Sequence, residues 1–295
     1  MRMYDKCLPC VISQVIKVAD ITGVDQKDEL LREVFAYLSK MDFASTTPEV
    51  IGDIFEMIKR YTNNQDPYKE TRNYYNALFM KYIPQFEAII ERAQDPFLMA
   101  VRYAIAGNII DFNPIHNTLL KDVLHCFDNM EQLEFAMNDS VALKKELQGA
   151  QTLLYLGDNC GEICLDKILL RKIKELNPCL RILFGVRGKP VVNDSIEEDA
   201  YAVGIDAYAE IISNGDGSLG TVLNRTSAAF QCAYQAADVV IAKGQANYEC
   251  LNEENKSIFF LLMTKCNIIA DDIGVAEKKL VCMKSKAYKR RAKAF

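Results

Sequence analysis

Short apolar runs alternating with helical stretches fill the second half of this chain, and no other feature restricts its fold as much. Thr152 to Leu156, Arg181 to Val186, Ala207 to Ile212, Asp238 to Ala242 and Ser257 to Met263 each have the length and apolar continuity of a buried strand. Between them, helices are expected from about Glu162 to Leu176, closed by Asn177-Pro178, and from about Leu219 to Ala236. Strands that alternate with helices build a mostly parallel sheet covered on both faces, an α/β fold. In such a sheet, ligands bind beyond the carboxyl ends of the strands.

The first half, residues 1–149, has helical spacing throughout and is expected to be an all-α region. Thr47-Pro48-Glu49 offers a cap, an early proline and an early acid, and Val50, Ile51, Ile54, Phe55 and Ile58 then form one apolar stripe. Asp66-Pro67 and Asp95-Pro96 repeat the cap-and-proline signal. Pro96 to Ile110 is expected to be one further helix and Glu131 to Gln148 the last, while Pro84 should divide or kink the stretch from Asp66 to Arg92. No strand is expected here. The division is thus a helical unit over 1–149, an α/β unit over 150–282, and a tail over 283–295. Lys284 to Lys293 carries six basic residues and no acid, and is expected to be solvated.

Composition removes several classes of chemistry. His116 and His125 are the only histidines, so a three-histidine zinc site is impossible and H-E-x-x-H is absent. A metal would have to rest on oxygen ligands or thiolates. The net charge of -5 argues against general nucleic-acid binding. No apolar run reaches the ~18 residues of a membrane span, and no signal-peptide core is visible, so a cytoplasmic protein with reduced thiols is expected. Cys7-Leu8-Pro9-Cys10 is half of a zinc site at most, and ordinary cysteines are the default for the ten in the chain. Cys160 lies within a polar loop where its thiol would be open to oxidation.

Polar residues gather after four successive strands. Asp158, Asn159, Gly161 and Glu162 follow the first, and Arg187, Gly188, Lys189, Asn193 and Asp194 the second. Asn214 to Thr221 follow the third, and Lys243, Gly244, Gln245, Asn247 and Glu249 the fourth. Gly215-Asp216-Gly217-Ser218-Leu219-Gly220 matches G-x-G-x-x-G after a strand and before an expected helix. The acid that a dinucleotide site wants at the end of the next strand is replaced by Lys243. A P-loop would need a lysine where Thr221 follows Gly220 directly. The loop is therefore expected to be an amide cradle for one phosphate at a helix N-terminus, with a purely structural turn as the alternative. Asp158, Asn159 and Asp194 supply three hard oxygen ligands suited to Mg²⁺ or Mn²⁺, while simple N-capping would explain Asp158-Asn159 equally well.

Three stretches together resemble a known family. Gly157-Asp158-Asn159-Cys160-Gly161-Glu162, Lys189 to Asp194, and Lys243 to Glu249 are similar in order and spacing to the motifs of the metal-dependent damage-control phosphatases, long catalogued as domain of unknown function 89. Ala106 to Phe112 and Cys7-x-x-Cys10 resemble its stand-alone prokaryotic members. The resemblance implies a Rossmann-like three-layer α/β/α domain preceded by a helical region. It implies a divalent ion (Mn, Co, Ni or Mg) on Asp158, Asn159 and Asp194, and hydrolysis of phosphate monoesters of small metabolites such as sugar phosphates. It implies Lys243 as a phosphate contact and Asn108 and Asp111 beside the site.

Taken with the loop clusters, this leads to an expected site. Asp158, Asn159 and Lys243 would be catalytic, and Asp158, Asn159 and Asp194 would hold the metal. Asn108, Asp111, Glu162, Arg187, Asn214, Gly215, Lys243 and Asn247 would surround a small phosphorylated metabolite, with no nucleic acid and no membrane as partner. The nucleophile is either water activated at the metal or Asp158 itself, which could form an acyl phosphate. Two other functions fit the same residues: a nucleotide- or dinucleotide-dependent enzyme using the Gly215 to Gly220 loop, and a non-catalytic metal- or metabolite-binding regulatory module.

Overall fold

The computed structural model describes residues 1–107, 127, 130 and 133–286. Five helices come first: α1 (Leu8–Ile21), α2 (Lys27–Leu38), α3 (Thr47–Thr62), α4 (Lys69–Arg92) and α5 (Pro96–Ala106). Strand β1 (Phe135–Asn138) and helix α6 (Ser140–Gly149) follow, then β2 (Thr152–Leu156), α7 (Glu162–Leu176) and β3 (Arg181–Val186). The chain continues through α8 (Glu197–Ala202), β4 (Glu210–Ser213), α9 (Ala228–Ala236), β5 (Val239–Lys243) and α10 (Gly244–Leu251). It closes with β6 (Ile258–Met263), α11 (Asn267–Ile273) and β7 (Leu280–Lys284).

The seven strands form one sheet in the order β1-β7-β6-β5-β2-β3-β4. Only the β6–β7 pair is antiparallel. Alternation of side chains along each strand divides the core in two. Leu153, Tyr155, Phe184, Val239, Ile241 and Phe259 face the layer that contains α4, α5, α6 and α7. Leu154, Leu156, Val240, Ala242 and Phe260 face α9, α10 and α11. This is a three-layer α/β/α arrangement, as the alternating strand pattern requires. Helices α1 to α3 keep a separate apolar cluster of their own, joined to the rest through Val191. Among the described residues, no helix is long and apolar enough to cross a membrane.

Several local expectations are corrected. The segment expected as helix over Glu131 to Gln148 begins with a strand, β1, at the sheet edge. Its four residues alternate between half-buried and exposed, a signal too short to stand out beside the helix that follows. Strand β7 runs to Lys284, past the end expected at 282. The cap of α3 is Thr46 rather than Thr47: its hydroxyl accepts from Glu49 N–H while Glu49 accepts from Thr46 N–H, a reciprocal capping box. Helix α4 runs unbroken through Pro84 and starts at Lys69, so Asp66 does not cap it. Asp95 does cap α5, accepting from Leu98 N–H at 3.1 Å. The third strand starts three residues later than expected, at Glu210, because Ile205–Ala207 forms a 3₁₀ turn. His116, His125, Asn108, Asp111 and residues 287–295 lie outside the described residues.

Candidate functional site

Chain order places a switch point in the sheet. From β2 the chain proceeds to β3 and β4 on one side, then returns to add β5 on the other side of β2. Loops leaving β2 and β5 diverge there and open a crevice. Asp158 follows β2, and Gly244 follows β5. Helices α1 and α3 cover the crevice, with α3 packed on α10. The result is a cavity of about 240 Å³ lined by Cys10, Gln14 and Ile51 from the helices and by Asp158, Asn159, Asp194, Gln245, Glu249 and Lys265 from the strand ends.

The loops that carry Asp158 and Asp194 are zipped together by backbone. Cys160 N–H donates to Asn193 O at 2.9 Å and Ser195 N–H to Asp158 O at 2.8 Å, forming a one-rung antiparallel bridge between Asn159 and Asp194. Asp158 and Asp194 are nearly buried, at 5% and 3% exposure. Asn159 Nδ2 donates to Asp158 Oδ2 at 2.9 Å and to Glu162 Oε2 at 3.2 Å, which leaves its carbonyl oxygen as an acceptor. Gly161, not Asp158 or Asn159, occupies the N-cap of α7, so capping does not explain these two side chains.

The electrostatics are lopsided. Burial, then the neighbouring Asp194 and Glu162 charges, push the Asp158 carboxyl well above the usual carboxylate range, with Arg187 opposing. Burial also raises Asp194, opposed by Arg187 and by the backbone N–H of Gly220. Arg187 Nε donates to Asp194 Oδ2 at 2.7 Å, and its Nη2 lies 3.6 Å from Asp158 Oδ1. Four buried carboxylates (Asp158, Glu162, Asp166, Asp194) face two buried cations (Arg187, Lys243), so the ionised cluster is two negative charges in excess. Among the described residues, no three His, Cys, Asp or Glu side chains converge as a closed metal cluster. The donor set is instead two carboxylates and an amide oxygen, open to a cavity. That set and its charge fit one hard divalent cation with water in the remaining positions.

Other expected site residues are placed elsewhere. Lys243 is not at the cavity. It is the last residue of β5, on the same face as Val239 and Ile241, and points under α5 and α7 with no exposure. Its ammonium donates to Ala104 O at 2.7 Å, Glu162 Oε1 at 2.6 Å and Asp166 Oδ1 at 2.5 Å. Three donors are thereby used, so Lys243 cannot contact phosphate. Glu162 is held by Lys243 and Asn159 below the cavity floor. Asn247 is a bracket: its amide donates to Lys243 O and Gly157 O and accepts from the Thr221 hydroxyl. Arg187 stays behind the two aspartates rather than on the cavity wall.

The glycine loop is structural. Asn214 Oδ1 accepts from Gly188 N–H at 2.8 Å and Asp216 N–H at 2.9 Å, tying two loops together. Gly215 has φ +79° and its backbone lies directly against Gly188, where a methyl group would overlap it. No helix begins at this loop; α9 starts at Ala228, capped by Ser227. An amide cradle at a helix N-terminus and a dinucleotide loop both require such a helix, and neither is present. The loop still contributes Leu219 to the cavity wall and the Gly220 N–H to Asp194.

Lys265 was not among the expected residues. It follows β6, so it obeys the same strand-end rule that selected Asp158, and extending that rule to the fifth run would have found it. It is exposed, it is the only cation among the described lining residues, and its charge lowers the pKa of Asp158. Gln245 Oε1 accepts the Lys265 backbone N–H at 3.0 Å and fixes the start of that loop. Cys10 and Gln14 were also not anticipated, because only the fold brings α1 over the strand ends. The Cys10 thiol is pushed up by burial and by Cys7, Cys266 and Glu249, so it is no ready nucleophile.

Gly244 is required by the approach of Asp158. Its φ is +76°, and a methyl group there would overlap the Asp158 carboxylate. Gly244→Ala should displace that carboxylate, and a reaction that depends on it should slow at least about a hundredfold, the order expected when a group at a reaction centre moves by about 1 Å. Comparing steady-state kinetics with the far-UV circular dichroism spectrum checks this, with the fold expected to be retained.

Comparison with known proteins agrees with this architecture. The chain is 32% identical over 290 residues to a damage-control phosphatase of Pyrococcus horikoshii, covering 97% of this chain and 99% of that one. It is 30% identical to a damage-control phosphatase of Archaeoglobus fulgidus, covering 93% and 96% of the two chains. A crystal structure of a domain-of-unknown-function-89 protein from P. horikoshii superposes with a TM-score of 0.89 at 30% identity, over 97% of this chain and 100% of that one. The damage-control phosphatase ARMT1-like domain matches residues 3–281. The chain therefore belongs to the ARMT1-like damage-control phosphatase family, domain of unknown function 89.

Proposed function

We propose that this protein is a metal-dependent phosphatase that hydrolyses phosphate monoesters of small metabolites, in a house-cleaning role. The observation that carries this is the convergence of Asp158, Asn159 and Asp194 on one cavity at the sheet's switch point, with Lys265 on its wall. The names of the relatives support the phosphatase class.

Asp158, Asn159 and Asp194 would hold one divalent cation such as Mn²⁺ or Mg²⁺, with Arg187 fixing the aspartates from behind. When bound, the ion polarises a phosphoryl oxygen and offsets the charge that would otherwise repel a phosphate dianion. Lys265 reaches the ester from the open side and steadies the charge on its peripheral oxygens. Gln14, Gln245 and Glu249 present polar groups to the rest of a small molecule, and about 240 Å³ is room for a metabolite rather than a polymer. The α1 and α3 cover limits access of bulk water to the cavity.

Chelator-treated protein should hydrolyse p-nitrophenyl phosphate at background rate and recover on addition of Mn²⁺, Co²⁺, Ni²⁺ or Mg²⁺. Undiminished hydrolysis after chelation would refute the metal-dependent mechanism; bound ion with intact ester would point to a regulatory module. Lys265→Ala should raise KM about tenfold, the loss of roughly 1.4 kcal/mol of phosphate contact, with little change in melting temperature, because Lys265 is exposed and its ammonium makes no ion pair among the described residues.

A further inference from the structure

A second polar cluster lies outside the cavity lining. Arg72 and Asn76 are four residues apart on α4, and so share one face. Both are buried, at 1% and 5% exposure, as is Asp199 at 2%. Arg72 makes a bidentate pair with Asp66, at 2.6 and 2.7 Å, and donates through Nε to Asp199 Oδ2 at 2.9 Å. Asn76 Nδ2 donates to Asp199 Oδ1 at 3.4 Å.

Two further bonds of this cluster go to the backbone of the two loops that carry the aspartates, and the Cys160 thiol, in the first of those loops, also bonds Asp199 and Asn76. Asn76 Oδ1 accepts from Gly161 N–H at 2.7 Å, three residues after Asp158. Asp199 Oδ2 accepts from Ile196 N–H at 3.0 Å, two residues after Asp194. Gly161 has φ +79°, a conformation that glycine adopts readily, and the Asn76 bond fixes it there. One buried knot of α4 and α8 side chains therefore fastens both loops, and none of its side chains lines the cavity. Two buried charges and an amide are costly to bury unless fully bonded. Here each hydrogen bond named runs to a loop or to a member of the knot itself.

We propose that Asn76 and Asp199, with Arg72 behind them, are positioning residues that set the spacing of Asp158 and Asp194 and hence the cation affinity of the site. This rests on the metal-dependent reading above. Outer partners that orient ligands commonly govern metal affinity by about 10- to 100-fold.

The test uses an exchange of side chains. Asn76→Ala removes the Gly161 bond, and Asp199→Asn alone sets two amide groups against each other. The double variant Asn76→Asp with Asp199→Asn preserves the bonds to Gly161, Ile196 and Arg72 and the one between the two side chains. The carboxylate placed at 76 accepts from Gly161 N–H and from the amide placed at 199, whose oxygen still accepts from Arg72 and Ile196 N–H. Mn²⁺ affinity, read from the electron paramagnetic resonance signal of the free ion, should fall about tenfold or more in Asn76→Ala and return to within about threefold of the parent in the exchanged pair. Hydrogen exchange of the Gly161 and Ile196 amides is measured in parallel on metal-free protein. The Gly161 amide should accelerate in Asn76→Ala and return in the pair, while the Ile196 amide, whose acceptor Asp199 is kept, serves as the internal control. Parent-like Mn²⁺ affinity in Asn76→Ala, or a pair that recovers thermal stability but not affinity, would overturn the proposal. If the parent binds no Mn²⁺ while the amide pattern holds, the metal reading fails and the knot's control of loop spacing stands on the exchange data.

Discussion

Replacing Lys243 by Met should unfold this protein at a much lower temperature rather than merely slow it. Lys243 is fully buried and holds Glu162 and Asp166, both also fully buried, so its loss strands two carboxylates in the core. Removing one side of such a cluster costs about 3–5 kcal/mol. For a chain of this size that is a fall in melting temperature of roughly 5–15 °C. Burial already holds the Asp166 carboxyl at about 6 even with Lys243 in place. Without the lysine the Asp166 carboxyl would take up a proton more readily, so acidic buffer should narrow the deficit between variant and parent. Differential scanning calorimetry from pH 5 to 8 reads both effects. A Lys243→Met protein with parental stability but a raised KM would mean that the lysine serves phosphate after all.

Removing either aspartate's charge should have the opposite profile. Asp158→Asn and Asp194→Asn each keep shape, and each takes one negative charge from a cluster that carries two in excess. Burial and the Asp194 and Glu162 charges raise the Asp158 carboxyl, so metal-free Asp158→Asn should be somewhat more stable at neutral pH, whereas Asp194→Asn also gives up the ion pair with buried Arg187 and should gain less. Turnover should fall at least about a thousandfold, the loss of roughly 4 kcal/mol of stabilisation that a bound cation provides in the transition state. Stable variants without activity would thus separate these residues from Lys243, whose loss acts through the fold. Retention of more than about a tenth of parental turnover by both variants would contradict their assignment.

The contrast between these residues shows what the sequence makes legible. Asp158, Asn159 and Asp194 follow strands by at least one residue, in loops free to face the crevice, and the strand-end rule locates them. Lys243 obeys the same rule by position but is the last residue of its strand, and the alternation of side chains sends it to the helix-covered face with Val239 and Ile241. One residue of register separates a cavity carboxylate from a core cation. The glycine loop misled for a related reason. Its G-x-G-x-x-G pattern is real, but the helix it should open begins eight residues after Gly220, behind a 3₁₀ turn at Leu223–Arg225. Strand β1 was hidden because an edge strand of four residues carries little periodicity, and because its partner β7 lies at the far end of the chain. The Asn76–Asp199 contact joins residues 123 positions apart and leaves no local trace at all.

The most direct measurement is a titration of metal-free protein with Mn²⁺, with bound ion and hydrolysis of p-nitrophenyl phosphate followed on the same samples. One ion per chain is expected to bind, activity should rise in step with occupancy, and Asp194→Asn should abolish both. Hydrolysis that persists with no ion bound, or tight binding undiminished by Asp158→Asn and Asp194→Asn, would contradict a metal centre in the loops that follow β2 and β3.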